Sequence, residues 1–246
     1  MAALSLRAAA GPFAAHGLRA VARAIGAALA PFALPSRCPG CGAELESSAA
    51  LCPKCWAAVP RADLTLCVHC LAREREPVGC ARHPAFRVRV AWVYDERAAT
   101  VIGTYKYGAR EDLAAALAVE MGRALRLGPR PELAVAVPLH AARLRERGYD
   151  QAALLARSWA RLAGVPFLAD ALERVRPTRA QARLGARARR ANVTGAFRVR
   201  EPAALEGRHV VLVDDVVTTG ATLEAGLAAL EACGARATGA AVAWAQ

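Results

Sequence analysis

Downstream of about Val88 the chain alternates between short unbroken apolar runs and longer stretches in which apolar residues recur every third or fourth position. An unbroken run reads as a strand covered on both faces, and helical recurrence reads as a helix that buries one side. Strands are expected at Val88–Tyr94, Leu133–Pro138, Pro166–Leu172, Ala196–Val199, Val210–Val213 and Thr238–Trp244, with a further element at Thr100–Tyr107 after the first. Leu113, Leu117, Met121 and Leu125 fall at helical spacing before Gly128. Asp150 opens a second helix carrying Leu154, Leu155, Trp159 and Leu162, ended by Gly164-Val165-Pro166, and a last helix begins near Leu223. This alternation predicts an α/β domain, a mostly parallel sheet with helices on both faces.

Ahead of Val88 the pattern changes. Residues 1–36 contain no acid; Arg19 and Arg23 interrupt their apolar stretch, and Pro31 and Pro35 break it. No run reaches the ~18 residues of a membrane span. A short amphipathic helix over Leu18–Leu34, ended by Pro35, is expected there in preference to a transit or signal peptide. Seven of the eight cysteines then fall between Cys38 and Cys80. Cys38-x2-Cys41, Cys52-x2-Cys55 and Cys67-x2-Cys70 are knuckles of the kind that hold tetrahedral zinc, and Cys80-Ala81-Arg82-His83 supplies a fourth pair. The simplest pairing is two ribbons in series, Cys38, Cys41, Cys52 and Cys55 followed by Cys67, Cys70, Cys80 and His83. A cross-braced pairing, or a second site without metal, is the alternative. A segment this short builds little hydrophobic core, so metal is its natural source of stability. His69 is expected to be a bystander within its knuckle, and Cys233 a small buried residue.

Candidate chemistry concentrates where the strand Val210–Val213 runs into Asp214-Asp215 and then Thr218-Thr219-Gly220-Ala221-Thr222. Ligand crevices open at the carboxyl ends of parallel strands, and a Gly-containing loop entering a helix presents backbone N–H groups to an anion. A Walker-B strand also ends in acids. It needs a Gly-x4-Gly-Lys loop elsewhere, and the only lysines, Lys54 and Lys106, sit in no such loop.

Charge adds one more feature. The formal net charge is +12, which favours polyanionic partners such as nucleic acid or phosphorylated substrates. Nine arginines and no acid occupy the 27 residues from Arg174 to Arg200, with Leu184, Val193 and Phe197 interspersed.

Four apolar residues, Asp214-Asp215, two apolar residues and Thr218-Thr219-Gly220-Ala221-Thr222 resemble the loop with which type I phosphoribosyltransferases bind phosphoribosyl pyrophosphate (PRPP). Val137-Pro138-Leu139, Arg143, Arg145 and Arg147-Gly148-Tyr149-Asp150-Gln151 resemble one branch of them, the ComF family of DNA-uptake and GntX-like proteins. That family usually has Phe-Asn where Tyr149-Asp150 stands. Arg174-x-Arg176-x-Thr178-x2-Gln181 and Arg190-x-Asn192-Val193-x-Gly195-x-Phe197 are similar to its most characteristic region, and Lys106 aligns with its lysine–aromatic element.

The resemblance implies an N-terminal helical segment (1–36), a double zinc-ribbon module (37–84) and a type I phosphoribosyltransferase-like domain (85–246). It further implies ribose contacts from Asp214 and Asp215, and a 5′-phosphate cradle at Thr218 to Thr222. Pyrophosphate or loop contacts would come from Lys106, Arg143, Arg145, Arg147, Arg187 and Arg190. PRPP or a related phosphosugar would bind with magnesium, zinc would be structural, and the location would be cytoplasmic. Two functions are compatible: phosphoribosyl transfer with release of pyrophosphate, or non-catalytic handling of single-stranded DNA beside DNA-uptake machinery proteins.

Overall fold

The computed structural model describes residues 37–38, 40–45, 49, 51–70, 73–74, 80, 83–108, 110–126, 128–139, 143–145, 148–175 and 195–245. The expected helix at Leu18–Leu34 lies outside them. In chain order the elements are α1 (Pro53–Ala57), β1 (Arg61–Cys67), β2 (Arg73–Glu74), β3 (Arg87–Val93), α2 (Glu96–Tyr107), α3 (Leu113–Leu125), β4 (Leu133–Ala136), α4 (Gln151–Ala163), β5 (Leu172–Arg174), β6 (Phe197–Val199), β7 (His209–Val217), α5 (Ala221–Ala232) and β8 (Arg236–Trp244).

The main sheet has the order β2-β1-β3-β8-β7-β4. Its β3, β8, β7 and β4 are parallel, while β1 adds antiparallel to β3 and carries β2 at the outer edge. Val210 to Val213 are fully buried because helices cover both faces. One face packs Val211 and Val213 with Ile102, Leu117, Met121, Leu155 and Trp159. The other packs Val210 and Leu212 with Leu223, Leu227, Leu230 and Phe197. Gly226 lets α5 lie close to β7, since a Cβ there would stand 2.6 Å from a Leu212 methyl.

Several boundaries differ from expectation for physical reasons. β7 does not stop at Val213; its ladder with β8 continues as Asp214↔Ala241, Val216↔Ala243 and Val217↔Trp244, so both acids lie within the strand. Thr100–Tyr107 belongs to a helix begun at Glu96, where the Asp95 carboxylate accepts from the Ala98 N–H at 2.8 Å. Pro166–Leu172 gives only a parallel bridge between Phe167 and Ala134, and the regular strand there is β5, paired with β6 as a separate ribbon. The second expected helix begins and ends as read, with Asp150 as N-cap and Gly164 in the left-handed conformation as C-cap. Among the described residues no helix is long and apolar enough to cross a membrane.

The cysteine-bearing segment is welded to this sheet. Arg61, at the start of β1, donates to both carboxylate oxygens of the buried Glu120 on α3, at 3.1 and 3.2 Å, and Trp92 Nε1 donates to the same carboxylate at 3.4 Å. Burial pushes the Glu120 carboxyl up, but the hydrogen bonds from Arg61 and Trp92, together with the charges of Arg61 and Arg123, outweigh it and hold the group below the usual carboxylate range. Trp56 on α1 meets Trp92 edge-on at 5.6 Å. Arg61→Ala strands a buried acceptor and is expected to lower the unfolding free energy by about 2 kcal/mol in urea denaturation.

Candidate active site and metal centres

The carboxyl ends of β7 and β4, the C-terminal turn of α2, the first turn of α4 and the N-terminus of α5 meet at one pole of the sheet. Period-two alternation along β7 sends Asp215 to the side of Val211 and Val213, and Asp214 to the side of Val210 and Leu212. On the first side Lys106 Nζ reaches Asp215 Oδ1 at 2.8 Å, with both side chains largely buried. That lysine is positioned by its neighbours. The Tyr105 hydroxyl donates to the Gln151 carbonyl at 2.7 Å, and the Tyr149 hydroxyl donates to the Tyr105 carbonyl. Asp150 caps α4 by accepting from Ala153 N–H at 2.9 Å, and its second oxygen accepts from Leu139 N–H at 3.2 Å. The departure Tyr149-Asp150 therefore builds the scaffold that holds Lys106: a phenol that reaches α2 and a carboxylate that joins the β4 exit to α4.

On the second side Asp214 accepts from the Asp215 N–H at 2.8 Å. Desolvation, with the neighbouring Asp215 charge, pushes its carboxyl up to about 7. Arg174 at the end of β5 lies over the Phe197 ring at 5.4 Å, and it senses both the positive charge of Arg143 and the negative charge of Asp214. In the sequence Arg174 heads the arginine-rich stretch and opens the Arg174-x-Arg176-x-Thr178-x2-Gln181 element, neither of which puts it near Asp214. Its position beside Asp214 depends on the β5–β6 ribbon, which local pattern does not announce.

The loop from Thr218 to Thr222 leads into α5, with Thr218 exposed, Thr219 and Thr222 half-buried, and Ala221 buried. Gly220 is the N-cap, at φ 73°, where glycine is unstrained. Of the expected arginines, Arg143 and Arg145 are exposed and helical. Arg147, Arg187 and Arg190 lie outside the described residues.

The cysteines gather into two groups, Cys38, Cys41, Cys52 and Cys55, and Cys67, Cys70, Cys80 and His83, with the ligand atoms of each group within 4.8 Å of one another. This is the serial grouping. Tetrahedral thiolate ligands at ~2.3 Å from zinc stand about 3.8 Å apart. The observed separations are 3.5 Å for Cys41–Cys52, 3.9 Å for Cys70–Cys80, 3.7 Å from Cys67 to His83 Nδ1 and 3.6 Å from Cys80 to His83 Nδ1. No cysteine is in a disulfide. In the first group burial would raise the Cys38 thiol, but N–H groups of Cys52, Gly40 and Cys41 bring it down to about 6, while the neighbouring Cys41 sulfur pushes Cys55 up to about 12. Sulfurs that compete for protons in this way suit a divalent cation in their place.

The second group touches the candidate anion loop directly. A Cβ on Gly220 would stand 2.6 Å from Val68 Cβ and 2.9 Å from the Val68 carbonyl oxygen, so the knuckle backbone abuts the loop where only glycine fits. His69 is outside the ligand group, yet it is no bystander. Its Nδ1 lies 2.7 Å from Glu224 Oε1 on α5, and its ring sits 4.3 Å from His83 and 5.5 Å from Phe86. Cys233, half-buried at the end of α5, donates to the Leu230 carbonyl at 3.0 Å. Stripping metal from the second group, or Cys80→Ser, is expected to free Val68 and speed amide exchange across residues 218–223 by about tenfold or more while β4 is unchanged, as read by exchange mass spectrometry.

Comparison with known proteins comes to the same region. Residues 152–246 match the phosphoribosyl transferase domain family. The DNA utilization protein YhgH of Salmonella typhi is 33% identical over 192 residues, covering 76% of this chain and 80% of that protein. Its namesake in Escherichia coli K12 is 35% identical over 185 residues, covering 70% and 80%. Competence protein F of Haemophilus influenzae is 42% identical over 94 residues, 38% of this chain and 41% of that protein. Identity of this extent over four-fifths of a relative's length places the chain in the ComF family, as a member with a phosphoribosyl transferase domain behind two cysteine groups suited to zinc.

Proposed function

We propose that the pole built from β7, α2, β5 and α5 binds PRPP, or a related phosphosugar, with magnesium. The observation that carries the reading is the juxtaposition, inside a phosphoribosyl transferase domain, of Asp214 and Asp215 with the Gly220-capped N-terminus of α5. Backbone N–H groups of the Thr218 to Thr222 loop, where α5 begins, hold the 5′-phosphate, because a helix N-terminus directs its N–H donors and positive dipole end at an anion. Asp214 and Asp215 accept from the ribose hydroxyls. Lys106, 2.8 Å from Asp215, and Arg174 and Arg143 on the Asp214 side supply positive charge for the pyrophosphate. Magnesium, when bound with PRPP, neutralises pyrophosphate oxygens. In phosphoribosyl transfer the bond from C1 to pyrophosphate breaks with its electron pair leaving on oxygen, an acceptor nucleophile bonds to C1, and the acceptor's proton passes to solvent.

The second reading, single-stranded DNA handling in the cytoplasm beside uptake proteins, is favoured by the net charge of +12 and by relatives named for DNA utilization and competence. In that reading the Arg174–Arg200 stretch tracks phosphates. Arg187→Ala/Arg189→Ala/Arg190→Ala then weakens DNA binding and flattens its salt dependence; an unchanged slope rejects that contact.

Calorimetric titration of Mg-PRPP into the zinc-loaded chain is expected to show binding that Asp214→Ala/Asp215→Ala abolishes; absence of binding to the native chain rejects the phosphosugar reading. Asp214 gives a second test through pH. Its folded-state value of about 7 lies above the ordinary 3.8, so the folded chain holds a proton that the unfolded chain releases between those values, and stability falls as pH rises through that window. Asp214→Asn is expected to remove that slope. Its melting temperature should exceed the native one at pH 8 and match it at pH 4, and a parallel shift at both would assign the effect to packing alone.

A further inference from the structure

The opposite pole of the sheet carries a second concentration of positive charge. There β3, β7 and β8 begin, at Arg87, His209 and Arg236, and α3 has just ended before Gly128. Asp214 is five residues up β7 from His209, about 16 Å at strand rise. Between these elements lies a cavity of about 310 Å3, lined by Arg87, Arg89, His209, Arg236, Thr238 and Gly128 among others. The volume is at the lower end of small-ligand sites.

The wall is built to present guanidinium groups. Arg89 is 3% exposed although it carries a charge, and its Nη1 donates to Thr65 Oγ1 on β1 at 2.5 Å. Its Nη2 lies against Gly128, where a Cβ would come within 2.6 Å, so the absence of a side chain at Gly128 is what admits the guanidinium. Arg87, two residues earlier and on the same face of β3, has a buried Nε–H with no hydrogen-bond partner among the described residues. A buried donor left unsatisfied costs free energy that a bound acceptor restores. Burial and the charge of Arg87 both push the Arg89 guanidinium below its ordinary value, a repulsion that an anion between them relieves.

The remaining groups do not cancel this charge. Glu231, the single carboxylate of the lining among the described residues, has Oε1 held by the Ala237 N–H at 2.9 Å. Arg236 lies 3.8 Å from Glu132 but is mostly exposed and reaches the cavity mouth. His209 is pushed down by burial; Nδ1 lies 3.3 Å from the Arg130 carbonyl and Nε2 2.9 Å from Thr238 Oγ1. It contributes a neutral polar wall.

We propose that this cavity is a second anion site, independent of the loop at Thr218–Thr222, which takes a terminal phosphate group. The depth of Arg89 selects a terminal group, because a phosphodiester, continued by chain on both sides, cannot lower one phosphate onto a residue 3% exposed. A phosphate monoester offers three oxygens to forked arginine donors. Its source is either a free mononucleotide or the 5′-phosphorylated end of a nucleic-acid strand.

The test follows arginine Nε–H signals by NMR in the zinc-loaded full chain as inorganic phosphate, and then dTMP, is added. Saturable shifts of the Arg87 and Arg89 signals are expected, with the Arg89 response weakened about tenfold or more by Arg87→Gln. Gly128→Ala, which removes no charge but crowds Arg89, is expected to weaken it as well. If Arg87→Gln does not fold, Arg87→Lys keeps the charge, loses the Nε–H and serves in its place. Shifts that fail to saturate, or equal affinity in native chain and variants, overturn the proposal. Short oligothymidylates with a 5′-phosphate or a 5′-hydroxyl identify the source: preference for the phosphate assigns the strand end, and a response to dTMP alone assigns the free monoester.

Discussion

Everything at the candidate site depends on the ladder between β7 and β8. It continues past Val213 to Val217 and Trp244, so Asp214 and Asp215 are carried on hydrogen-bonded strand instead of on a loose turn. A strand dictates opposite facing for neighbouring residues. One acid therefore meets Lys106 across the α2 and α4 side, and the other lies within electrostatic range of Arg174 on the β5 side. Rigid placement of this kind is what a binding site for a flexible, highly charged ligand requires, because the ligand then bears most of the ordering cost.

The second constraint is the contact of Val68 with Gly220. Two features that look separate in the chain, a cysteine knuckle and the candidate anion loop, share one van der Waals surface, and the pair between His69 and Glu224 extends it along α5. The first cysteine group is tied instead to α3 through Arg61 and Glu120. The cysteine segment is thus divided in its loyalties, one half bracing the helical layer and the other bracing the candidate anion loop.

Much of this was legible in the sequence because it rests on local rules. The unbroken apolar run at Val210–Val213, the Asp150 cap, the Gly164 stop and the Cys-x2-Cys spacings all express short-range geometry. What escaped depends on distant partners. The extension of β7 is imposed by β8, and the place of Arg174 by a two-stranded ribbon whose halves are more than twenty residues apart; the helix at Glu96 has a local cap at Asp95 but only weak apolar periodicity to announce it. His69 escaped for the same reason: a histidine inside a knuckle reads as a ligand or as nothing, and its partner Glu224 is 155 residues away.

The placement of β1 bears on how the chain stays dispersed. β3 would be the outer strand of the parallel sheet, buried on both faces and apolar at Val88, Val90, Ala91 and Trp92, were β1 not paired to it and followed only by the two-residue β2. A long apolar edge is a template for another chain, whereas a very short outermost strand is a poor one. β1 is bracketed by the two cysteine groups, which end at Cys55 and begin again at Cys67. Metal in those groups would then act as the fastener of a cover over an adhesive edge, and loss of metal would appear first as self-association of otherwise folded protein.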